Sequence, residues 1–126
     1  MINTRELRIG NVIIFTEDNT ISKVIEIDNE GIQVKIGDEI TWIEKETFNP
    51  LILDEEILLK LNFIKKDNIF SINIPNSNHY FDIFIYEHKW YCKLNGFTIE
   101  INSLHKLQNL YFILIGKELN VEGLII

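Results

Sequence analysis

The spacing of apolar positions changes near Asn49-Pro50, and that change divides the chain. Before it, apolar runs are short and bounded by polar turns. Gly10 to Phe15, Lys23 to Ile27, Ile32 to Ile36 and Ile40 to Glu44 read as strands. Ile32, Val34 and Ile36 share one face while Gln33 and Lys35 take the other, the two-residue period of a strand. Asp28-Asn29-Glu30-Gly31 and Gly37-Asp38-Glu39 join these runs, with Gly31 suited to the positive φ of a hairpin turn. Four or five such strands with tight turns predict a small twisted β-barrel-like subdomain over residues 1–50, its interior filled by side chains.

After Pro50 the period lengthens. Leu53, Ile57, Leu58 and Leu61 fall on one helical stripe, with Asp54 placed to cap it and Glu55 and Glu56 favouring its positive end. Alternation then resumes at Phe70, Ile72 and Ile74, and again at Phe81, Ile83 and Ile85. The stretch KWYCKLNGFTIEI contains Asn95-Gly96, the preferred two-residue hairpin turn. It sets Leu94 opposite Phe97, Cys92 opposite Ile99 and Trp90 opposite Ile101, with Tyr91 and Lys93 on the reverse face. Ser103 to Leu119 reads as a closing helix, capped by Ser103 and ended by Gly116, with Leu104, Leu107, Leu110 or Tyr111, and Leu114 on its apolar side. The predicted class is α+β. A barrel-like subdomain (1–50) precedes a helix, a four-stranded antiparallel sheet and a C-terminal helix (51–126), the two parts being compatible with one compact domain.

Bulk properties narrow the function. The chain has 126 residues, of which 46% are hydrophobic, enough for a packed core. No apolar run is long enough to span a bilayer, so no membrane role is expected. The opening MINTRELRIG lacks the apolar segment of a secretory signal, and Cys92 has no partner for an internal disulfide, which suits a reducing compartment. The net charge of −7 argues against generic DNA binding. Charge is unevenly spread: residues 1–56 hold 13 acidic and 5 basic side chains (net −8), residues 57–126 hold 6 and 7 (net +1). An anionic ligand would prefer the second part, near Lys65, Lys66, Lys89, Lys93 or Lys106.

Motifs for chemistry are absent. His79, His88 and His105 form no close metal pair, and Cys92 with His88 in one strand would stand roughly 13 Å apart. There is no nucleophile elbow and no phosphate-binding glycine loop. Pairs such as Glu44 with Glu46 and Asp54-Glu55-Glu56 read as solvated faces. No metal, cofactor or catalytic residue is therefore expected. What remains is a set of candidate ligand-binding residues: Lys89, Tyr91 and Lys93 on one strand, and His105, Lys106, Gln108, Asn109 and Phe112 on the last helix. The amide-and-imidazole side of that helix is expected to face outward or into a shared cavity, unless those groups hydrogen-bond to a neighbouring strand or to the barrel.

Three segments taken together, RELRIGNVI (5–13), DEEILLKLNF (54–63) and LHKLQNLYFILIGKEL (104–119), resemble an uncharacterised family of small proteins encoded by phages and prophages of Bacteroidetes-type bacteria. The chain departs from that family's pattern at Ile115, usually Thr, at Lys117, often Glu, and at Asn62, which replaces a helix-ending Gly. The resemblance implies a setting, a phage-encoded protein in the host bacterial cytoplasm, and carries over no catalytic residues. The leading expectation is a non-catalytic binding protein that counters host defence by sequestering a small anionic, nucleotide-type signal. The alternative is a protein-interaction module that inhibits a host protein or serves phage assembly, and a homo-oligomer suits both.

Overall fold

The computed structural model describes residues 6–15, 20–28, 31–44, 48–94 and 96–124, which build two antiparallel five-stranded sheets and two helices. In the first sheet β1 (Val12–Phe15), β2 (Thr20–Ile27), β3 (Gly31–Ile36) and β4 (Glu39–Glu44) form a meander, and β5 (Phe48–Pro50) returns beside β1. The strand order is β4-β3-β2-β1-β5, so β4 and β5 are left as edges. The barrel expected here is thus an open sheet. Its last strand is three residues long and ends at Pro50, which has no N–H to extend a ladder. Asp28 closes the β2–β3 turn by accepting the Gly31 N–H at 2.9 Å; Asn29 and Glu30, and Glu46 of the acidic pair noted above, lie outside the described residues.

The second half begins with α1 (Glu55–Lys60). The Asp54 carboxylate caps it by accepting the Ile57 N–H at 2.8 Å, and Asn62 leaves it at a left-handed φ of 71°. Asn tolerates that conformation better than most residues, so it substitutes for glycine there. The second sheet follows in the order β10-β9-β8-β7-β6, built from β6 (Ile64–Lys66), β7 (Ile69–Asn73), β8 (Tyr80–Tyr86), β9 (Lys89–Leu94) and β10 (Phe97–Glu100). It has five strands where four were expected. The extra strand, Ile-Lys-Lys, is too short and too polar to show alternation. The β9–β10 register is the expected one, Phe97 opposite Leu94 and Ile99 opposite Cys92, although Asn95 itself is outside the described residues. Trp90, Cys92 and Ile101 are buried, whereas Phe97 on the edge strand is 74% exposed, because the covering helix leaves that edge free.

That helix is α2 (Leu104–Ile115). Ser103 occupies its N-cap position but makes no capping hydrogen bond, and its hydroxyl lies 3.2 Å from His105 Nδ1 instead. Gly116 ends it at φ 79°. The buried face is Leu104, His105, Leu107, Gln108 and Tyr111, with Leu110 only partly buried and Leu114 exposed. The helix is therefore rotated toward its polar side relative to the leucine stripe. Leu104, Leu107 and Tyr111 join Phe70, Phe81 and Ile83 in the larger core, with Tyr111 edge-on to Phe81 at 5.2 Å. A smaller core in the first sheet holds Leu7, Ile13, Val24, Ile32, Val34 and Phe48. Strand β1 serves both, since Val12 packs into the larger core and its neighbour Ile13 into the smaller.

Within the second half, the entries to the two helices are paired. The Leu53 N–H donates to Asn102 C=O at 3.1 Å and the Leu104 N–H to Leu51 C=O at 2.8 Å, so the segments leading into α1 and α2 run antiparallel.

The β8–β9 hairpin turns through Glu87 and His88, both at positive φ (49° and 65°). Such a two-residue turn favours Asn-Gly, and Glu and His carry a conformational cost there. Replacing Glu87-His88 by Asn-Gly is expected to raise the unfolding free energy by about 1 kcal/mol, measured by urea denaturation; an unchanged or lower midpoint would contradict this account of the turn.

Candidate functional site

The eight candidate residues separate into two groups that the fold does not bring together. The helical group turns inward against the segment that leads into β1. Gln108 is buried, and its side-chain amide accepts the Val12 N–H at 2.8 Å and donates to Gly10 C=O at 2.9 Å. It serves β1 as a strand partner where the pairing with β5 has run out at Ile13 opposite Pro50. Asn109 donates to Glu6 C=O at 2.7 Å and accepts from Arg8 Nε at 2.8 Å and from Asn11 Nδ2 at 2.9 Å. Arg8 reaches further, to Gln108 C=O at 3.2 Å, to the Glu118 carboxylate at 2.6 Å and over the Phe112 ring at 4.4 Å. Among the described residues no buried side-chain N or O is left without a partner.

This geometry corrects the expectation of an outward recognition face. Gln108 and His105 are enclosed, Asn109 is hydrogen-bonded to Glu6, Arg8 and Asn11, and Phe112 is engaged by Arg8, while Lys106 remains exposed. The two segments ELRIGN (6–11) and HKLQN (105–109) meet one another, so each supplies the other's hydrogen-bond partners. His105 lies with Nε2 3.3 Å from Glu6 Oε2. Burial holds its pKa below the ordinary value of 6.5; the Glu6 carboxylate opposes that shift and Lys106 adds to it.

The second group lies on the face of β9 that alternates with the buried Trp90 and Cys92. Tyr91 is half-buried and stacks on Phe84 of β8, with ring centroids 5.6 Å apart. Lys89 stands 3.6 Å from Glu100, and Lys93 is opposite Thr98. Tyr80 and Tyr86 on β8 are 58% and 60% exposed on this same face. An open pocket of about 480 Å3 takes in Tyr80, Asp82, Phe84 and Lys93 of this face together with Phe81 and Cys92 of the opposite one, and reaches Leu114 and Ile115 at the end of α2. The alternation of Phe81, Ile83 and Ile85 leaves Tyr80 and Phe84 to the outer face. It gave no sign that Leu114 would leave the core, because that depends on the rotation imposed by Gln108.

Chemically, the face offers stacking surfaces, the ammonium groups of Lys89 and Lys93 and the carboxylates of Asp82 and Glu100, with no assembled nucleophile and base. Burial, reinforced by Asp82, pushes the Cys92 thiol up, which disfavours a reactive thiolate. Among the described residues no group of three or more His, Cys, Asp or Glu side chains converges as a metal site, and no helix is long and apolar enough to cross a membrane. Compared with known proteins, the chain matches no family model, no curated protein and no solved structure.

Gln108→Leu keeps the side-chain volume but strands the Val12 N–H and Gly10 C=O, and is expected to cost about 2–5 kcal/mol of stability. A loss under about 0.5 kcal/mol by urea denaturation would mean that water or a shifted strand replaces the amide. The lowered His105 pKa also fixes a pH dependence. Above about 6.5 the ring is neutral in both folded and unfolded chains. As pH falls below that value the unfolded chain takes up the proton first, so stability declines down to the folded-state pKa and then levels. The denaturation midpoint should therefore drop between pH 7 and pH 5 by a larger amount in the natural chain than in His105→Gln; equal drops would remove His105 as the cause.

Proposed function

We propose that the chain is a non-catalytic binding protein whose contact surface is the outer face of its second sheet. The observation that carries this reading is the exposed row of Tyr80 and Tyr86 beside Lys89 and Lys93, of which Tyr80 and Lys93 line the 480 Å3 pocket. Rings that stand free on a sheet face stack on planar ligands, and neighbouring ammonium groups attract phosphate. Asp82 and Glu100 lie among these lysines and hold the local field close to neutral. Together with the net charge of −7, this favours a compact nucleotide-type anion over a long polyanion such as DNA. In the phage-encoded setting that the sequence resemblance implies, such binding withdraws a host defence signal by sequestration in the bacterial cytoplasm.

A second reading, a protein-interaction module, is favoured by a different observation. Ile113 is 75% exposed, and Leu114 and Phe112 beside it and Phe97 and Ile99 on β10 also reach solvent. Large apolar side chains left exposed at neighbouring positions, as Ile113 and Leu114 are, mark contact surfaces.

Calorimetry against cyclic oligonucleotides and ADP-ribose derivatives separates the readings. The first predicts heat with at least one of them, weakened about tenfold or more by Tyr80→Ala or Lys93→Glu. No heat with any member at high protein concentration overturns it. A stoichiometric host protein retained by the natural chain and lost on Ile113→Asp then supports the second.

A further inference from the structure

A second cavity, of about 270 Å3, lies where the start of α1 meets the β6–β7 end of the second sheet. Its floor is aromatic: Phe70 and Trp90 pack edge to face at 5.1 Å, and both are buried. Its rim carries the carboxylates of Asp54, Glu55 and Asp67 against the single ammonium of Lys65, a local excess of negative charge. An aromatic floor with a carboxylate rim is the arrangement that holds organic cations, through the ring quadrupole on one side and ion pairing on the other.

Two observations show that the site is built for such a group. Lys65 already uses it: its Nζ stands 2.7 Å from Glu55 Oε1 and 5.9 Å from the centre of the Phe70 ring. That side chain is 47% exposed, so it leaves at little cost. The second observation concerns Trp90, which is only 5% exposed. Its indole N–H meets no hydrogen-bond acceptor among the described residues, and it is not one of the sealed polar atoms, since none of those lacks a partner. The N–H is therefore not sealed from solvent, and Trp90 is one of the residues that line this cavity.

We infer that this cavity binds an organic monocation bearing a hydrogen-bond acceptor, the chemistry of an alkylammonium or guanidinium side chain with a neighbouring carbonyl. The cation displaces Lys65 between Glu55, Asp67 and the Phe70 ring, and the acceptor takes the Trp90 N–H. The site is separate from the Tyr80–Lys93 face and stands whether or not that face binds a nucleotide.

Titration of the 15N-labelled protein with Nα-acetyl-lysine methylamide, and with its uncharged norleucine counterpart, tests this. The indole resonance of Trp90 is distinguished from that of Trp42 by Trp42→Phe. The lysine compound is expected to move the Trp90 signal and the norleucine compound to leave it in place. Affinity should fall about threefold in Glu55→Gln and in Asp67→Asn, and rise about threefold in Lys65→Ala, which removes the internal competitor. These are surface positions, and unchanged spectra elsewhere report an intact fold. A Trp90 signal unmoved by the lysine compound in both the natural chain and Lys65→Ala, or moved equally by the norleucine compound, overturns the proposal.

Discussion

One side-chain amide sets the arrangement of this molecule. Gln108 projects from α2 and pairs with Gly10 C=O and Val12 N–H as a neighbouring strand would. A buried peptide group without a partner costs about as much as a lost hydrogen bond, so β1 needs something at this point once β5 has turned away. Supplying it from a helix fixes the rotation of α2 about its axis. Rotation in turn buries His105, brings Asn109 to Arg8 and Asn11, and lifts Leu114 out of the core. Val12 beside the amide packs into the larger core while Ile13 packs into the smaller, so the two sheets are registered at one strand.

The consequence for function is one of exclusion. Polar residues clustered on a helix face invite a reading as a binding surface, and here they are spent on holding the sheets together. The surfaces left for contact include the tyrosine and lysine face of the second sheet, the apolar end of α2, edge strand β10, and the aromatic-floored cavity beside α1, where Lys65 is only loosely held.

Much of the fold was legible because it is encoded locally. The β9–β10 register follows from an Asn-Gly step and two-residue alternation. The α1 start follows from Asp54, and the α2 end from Gly116 at positive φ. Barrel closure and the direction of the Gln108 face depend on residues far apart in the chain; Gln108 and its β1 partners are separated by 96 and 98 positions. The fifth strand of the second sheet pairs with its near neighbour and escaped because three residues, two of them lysines, show no alternation. Periodicity reports which side of a helix is greasy, and says nothing about whether a polar side will be met by backbone from elsewhere. His105, Gln108 and Asn109 had the composition of a site and the role of a joint.

Native-state hydrogen exchange at the Val12 amide tests the central claim most directly. If Gln108 holds that N–H within a joint on which the fold depends, Val12 exchanges only through global opening, with the same protection free energy as core amides of β8 such as Ile83. Exchange at Val12 that is several kcal/mol easier than at Ile83 would show that the seam opens by itself and that the two sheets do not depend on it.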